Sequence, residues 1–171
     1  MSFWHAVDGS ELAQGDFLPQ CVMPLFLSPD SIQEETLDLP LVQADLIVVT
    51  QSCDLQNQKV QFVALCPIHS LEDFEEINPE FRRRGQWESV RKGRVEGLHL
   101  LASPTDPDNN RAALVVDFGH IVSLPFEYLV HHADSLAERW CLESPFLEHF
   151  SQAFARFFMR VGLPTAIPAF K

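Results

Sequence analysis

Residues 45–65 read DLIVVTQSCDLQNQKVQFVAL. Leu46 to Val49 is an unbroken apolar, largely β-branched run, the pattern of a strand buried on both faces. Residues 52–58 carry Asp54 and Asn57 and read as a turn. Residues 59–65 return as a partner strand, so 45–65 is a β-hairpin. Working outward, Gly15-Asp16 opens a first strand that runs to Leu27 and is broken by Pro19 and Pro24. Residues 28–40 are an acidic, polar loop. Strands at 98–102 and 112–117 flank a Pro/Asp/Asn-rich loop at 103–111, and a short strand at 120–123 ends on Leu124-Pro125.

The period then changes. Phe146, Phe150, Phe154, Phe157, Phe158 and Val161 recur at helical spacing. Ser144 is placed to cap this helix, Pro145 to occupy its first position, and Gly162 with Pro164 to stop it. Residues 125–139 are helical in part. The expected fold is mainly β: a small SH3-like barrel of five to seven strands with one or two C-terminal helices. One domain spans 1–171, with the barrel at 15–130, a charged excursion at 70–94 and a helical segment at 131–164. The second Phe row exceeds one contact face and implies a partner surface, a homodimer face or a deeply seated helix.

The chain has 171 residues, 46% of them hydrophobic, and a mean hydropathy of −0.01. That supplies a core and excludes wholly disordered and collagen-like classes. No apolar run is long enough to span a bilayer and no secretory leader opens the chain, so the expected location is cytoplasmic, without membrane contact. The formal net charge is −12, which opposes broad nucleic-acid binding. Arg82, Arg83, Arg84, Arg91, Lys92 and Arg94 face Glu88 alone between residues 82 and 94, a local +5 that leaves −17 elsewhere. Any nucleic-acid contact is expected only through that segment; otherwise it answers the acidic cluster at 72–80. The four cysteines show no C-x-x-C and are expected as free thiols. Nucleotide, dinucleotide and α/β-hydrolase signatures do not occur.

Four constellations bear chemistry. Cys53, beside Asp54 where the buried strand ends, is a candidate nucleophile with His99 or His69 as its base; the competing reading is a buried structural thiol with Asp54 in an Asx-turn. Cys53, Cys66 and His69 would make a metal site only with His99 or Cys21 added, so no metal and no cofactor are expected. His131 and His132 point to different faces and read as solvated. Arg156 and Arg160 share a helix face; with Arg139 they form a cationic set for an internal carboxylate or a bound phosphate.

The order Gly15-Asp16, the strand Leu46 to Thr50, the strand ending in LCPIHS at 65–70, Val115-Val116-Asp117 and the Leu124-Pro125 corner resembles the PemK/MazF toxins. The resemblance implies their SH3-like barrel. In that family an Arg-Pro-led strand and a corner Thr or Ser carry ribonuclease chemistry; here Ala44-Asp45 and His69 stand at those places. The turn TQSCDL also resembles one in bacterial proteins of no assigned activity. The expectation is a bacterial accessory or interaction protein, with a protein partner or homodimer, in a toxin–antitoxin or phage-defence system. The alternative is an enzyme: a Cys53-dependent hydrolase or transferase, or a diverged endoribonuclease.

Overall fold

A computed structural model describes residues 2–25 and 40–159. The strands are β1 (Trp4–Val7), β2 (Asp16–Pro24), β3 (Leu41–Val48), β4 (Phe62–Ser70), β5 (Leu98–Leu101), β6 (Leu114–Asp117), β7 (Val122–Pro125) and β8 (Arg139–Leu142). The helices are α1 (Ser52–Gln56), α2 (Leu71–Ile77), α3 (Gln86–Arg91), α4 (Phe126–Ser135) and α5 (Phe146–Phe158).

The apolar run in β3 does what its composition dictates. Leu46 and Val48 enter one core with Leu18, Leu65 and Leu129; Ile47 and Val49 enter a second with Trp4, Val116, Phe118 and Phe150. Strand alternation thus places one segment between two cores, and its β-branched residues are fully or almost fully buried. β3 pairs antiparallel with β4 through Leu46↔Pro67, Ile47↔Cys66 and Val48↔Leu65, the expected hairpin. Its connection is the short helix α1 rather than a plain turn, because Leu55 buries itself in the first core.

Proline does not break β2. The register shifts between Leu18 and Cys21, with Gln20 in the left-handed region at φ 54°. This bulge accommodates Pro19 and is stapled on both sides: Gln20 N donates to Asp45 Oδ1 at 2.9 Å, and Val22 N donates to the Tyr128 hydroxyl at 2.7 Å.

All eight strands pair antiparallel in the order β1-β8-β2-β3-β4-β6-β5, with β7 also on β4. The described chain is therefore a mixed protein, an eight-stranded antiparallel sheet with five α-helices, rather than a mainly β barrel of five to seven strands with one or two C-terminal helices. β1 and β8 are absent from the sequence reading; β8 lies in the stretch expected to be helical. The sheet is open by backbone pairing. One side chain bridges its ends: Trp4 Nε1, on edge strand β1, donates to Ala102 O beside edge strand β5 at 2.7 Å.

The charged excursion packs as a third, small core. Phe74, Phe81 and Trp87 interlock at centroid distances of 5.1–5.7 Å over Val115. α5 begins one residue later than expected: Pro145 is its capping position, and Ser144 Oγ donates to Glu148 Oε1 instead of capping backbone. Phe150 is fully buried, and Phe154 and Phe157 pack on the same core around Phe118, so most of the aromatic surplus is internal. Phe158 and Met159 stay exposed. The expected loop at 28–39, the end of the first strand at Phe26 and Leu27, and the helix stop with Arg160, Val161, Gly162 and Pro164 lie outside the described residues.

Candidate functional site

The strand register decides which candidate residues can meet. On β5 and β6, His99 pairs with Val116, which faces the second core; on β4, His69 pairs with Val115, which faces the third. Because alternate residues point to opposite sheet faces, His99 and His69 belong to different faces. Cys66 and His69 are three apart on β4 and also diverge, with Cys66 buried in the second core.

Cys53 lies on α1 and is exposed, unlike Cys21, Cys66 and Cys141. Its neighbours are Gln51 Oε1 and Asp54 Oδ1, each 3.7 Å from Sγ. Asp54 makes a 3.6 Å ion pair with Lys59 rather than an Asx-turn. The buried structural thiol is thereby corrected; among the described residues the hydrogen-bonding neighbours of Cys53 Sγ are Gln51 and Asp54 and include no histidine. Among the described residues no three His, Cys, Asp or Glu side chains gather as a metal set.

What the fold does assemble is a cleft of about 480 Å³ between the end of α3, the 92–97 loop, β5 and α5. His99 lies in it, its ring 6.0 Å from both Phe118 and Phe150. Burial, helped by nearby His149, lowers His99 from 6.5 to about 4, so it is neutral at neutral pH. α5 contributes His149, Ala153 and Arg156, spaced four and three residues apart and therefore on one face. Arg91 and Lys92 come from the other wall. The loop reaches α5 closely because residue 97 is glycine: its φ is +84°, and a Cβ there would stand 3.0 Å from the Phe157 ring.

Charge is mixed. Glu88 binds Arg91 at 2.6 Å and Lys92 at 3.0 Å, and those hydrogen bonds hold its carboxyl at about 2. Glu96 also lines the cleft. Three cations against these two carboxylates leave a local +1 on a chain of −12. None of the ion pairs among the described residues uses Arg156.

The basic segment is consequently split. Arg91 and Lys92 face the cleft, whereas Arg82, Arg83, Arg84 and Arg94 are exposed outside its lining. The acidic cluster is not answered by them through ion pairs: Glu75 binds Arg111 at 2.7 Å and accepts from Trp87 Nε1 at 2.7 Å. Arg139 leaves the proposed helical cation set altogether and pairs with buried Asp16. His132 is not merely solvated, since its Nε2 is 2.8 Å from Pro19 O.

Neither the cleft nor the Asp16–Arg139 pair was singled out from sequence. For the first, the sequence offers Arg91, Lys92, His99 and Arg156 as separate candidates and the helical spacing of His149, Ala153 and Arg156, with nothing to join them. For the second, it offers the acid at the start of β2 and the short apolar run after Arg139.

No protein-family model, no curated protein and no solved structure significantly matches this chain. The fold and the site define a mixed antiparallel-sheet protein with a weakly cationic, aromatic-floored cleft. Among the described residues no helix is long and apolar enough to cross a membrane.

Proposed function

We propose that this chain is a cytoplasmic bacterial accessory protein of PemK/MazF-like build that acts by contact with a protein partner. The setting implied by that likeness is a toxin–antitoxin or phage-defence system. The cleft of α3, β5 and α5 is its working surface. One observation carries the reading: Arg91, Lys92 and Arg156, from segments some sixty residues apart, line one cleft of an otherwise acidic body. An acid-bearing partner is least repelled there. The barrel part of the reading is supported by the Trp4–Ala102 bridge, which holds the two sheet edges together.

The test is purification of the tagged chain from its native host beside Lys92→Glu/Arg156→Glu. A stoichiometric protein retained by the native chain and lost from the double variant is the expected outcome. A partner held equally by both removes the cleft from the reading.

A second reading is favoured by a different detail. His149 stands close enough to His99 to lower its proton affinity, in a cleft that also holds Arg156. Two imidazoles and a guanidinium are the groups a metal-independent nuclease would use. RNA cleavage abolished by His149→Ala, with folding intact, would establish that alternative. The Cys53-dependent enzyme has less support, since the hydrogen-bonding neighbours of Cys53 among the described residues include no histidine.

A further inference from the structure

We infer that the cleft of α3, β5 and α5 binds a phosphate monoester. The inference rests on reading that cleft as the working surface, and it names the ligand group. A carboxylate is satisfied by one planar fork, whereas a terminal phosphate presents three oxygens and takes donors from several sides. The cleft has that arrangement. Arg91 and Lys92 come from the end of α3, and Arg156 and His149 from one face of α5, about two turns apart.

Arg91 and Lys92 share the single carboxylate of Glu88, so two cations are held by one acid and their remaining donors are available. Arg156 has no ion-pair partner among the described residues. Gly93, with φ +65°, has open space where a Cβ would project, so the loop leaves room at the mouth. Phe118 and Phe157 supply an apolar wall for the alcohol half of the ester. A volume of about 480 Å³ suits a small molecule or one modified side chain.

The ester group could reach the cleft on a free sugar or on a phosphorylated partner side chain, and the test separates them. Calorimetric titration of the full chain at neutral pH and low salt uses ribose 5-phosphate, capped O-phosphoserine and succinate. At least one phosphate ester should bind, with succinate about tenfold weaker. The ester that binds more tightly identifies the source. Arg156→Gln and, separately, Lys92→Gln should each weaken ester binding by about tenfold, while Arg84→Gln, outside the cleft, leaves it unchanged. Circular dichroism confirms folding of each variant. Succinate binding as tightly as the esters, or ester binding unaffected by both cleft variants, overturns the inference. The first of these outcomes leaves the anion-recognising surface standing. Absence of binding by all three anions overturns the inference and leaves the protein-contact reading to the purification with Lys92→Glu/Arg156→Glu.

Discussion

Asp16 and Arg139, 123 positions apart, form an ion pair at 3.2 Å with side chains only 1% and 2% exposed. Arg139 also donates through Nη1 to Gly9 O at 2.6 Å and through Nη2 to Glu11 O. Asp16 Oδ2 accepts from Ala13 N at 3.0 Å. The guanidinium of Arg139 and Asp16 Oδ2 are held by these hydrogen bonds. Asp16 Oδ1 is buried with no hydrogen-bond partner among the described residues, so the pair bears a desolvation cost that its remaining contacts offset. Together the two residues fix the 8–13 loop to β2 and β8, which pair through Asp16↔Cys141 and Phe17↔Trp140. Their neighbour Cys141, paired with Asp16 across the sheet, has its thiol pushed up by burial and by the Asp16 carboxylate.

Removing one partner should therefore strand a buried charge. Arg139→Met is expected to cost about 3–5 kcal/mol in urea unfolding, and Asp16→Leu a similar amount. The double variant should lose less than the two single losses combined. Additive losses would mean that the two charges act independently.

The thiols should divide one against three. Cys53 is exposed, while burial raises Cys21 and Cys66 to about 12 and pushes Cys141 up as well. Iodoacetamide at neutral pH should modify one thiol in the folded protein and four in denaturant, with mass spectrometry placing the first at Cys53. Early labelling of Cys66 would contradict the core assignment.

His99 should give the protein an acid-sensitive step above the carboxylate range. Its folded pKa, about 4, lies below the ordinary 6.5 because burial disfavours the charged ring. The unfolded chain thus binds the extra proton first, and the stabilisation, complete above pH 6.5, is lost as pH falls towards 4. The loss should be on the order of 2 kcal/mol, allowing for solvent at the cleft mouth. Stability measured against pH should be flatter across this window in His99→Phe; an unchanged slope would refute the assignment.

Glu75 should define a second, lower window. Hydrogen bonds from Arg111 and from Trp87 hold its carboxyl at about 2, against an ordinary 4.5. A depressed acid stabilises above its unfolded value, so this contribution is complete above pH 4.5 and fades as pH falls towards 2. Glu75→Gln should remove that dependence and alter Trp87 fluorescence at neutral pH. A pH profile identical to that of the native chain would show that the Arg111 contact contributes nothing.

The sequence by itself determined the elements with strong local signals. The apolar run at 46–49 gave a strand between two cores, residues 98–117 gave a pair of strands around a turn-rich loop, and the Phe spacing gave α5. Their alternation of 2.0 or 3.6 residues is a property of neighbours along the chain. β1 and β8 are four residues each, too short for a period to register, and exist because they pair with each other through Trp4↔Leu142 to Val7↔Arg139. Only the tertiary structure decided the site. Strand register sent His69 and His99 to opposite faces, and helix packing set Arg156 in one cleft with Arg91 and Lys92. Such meetings depend on hydrogen-bond register and packing between distant segments, which local patterning does not encode.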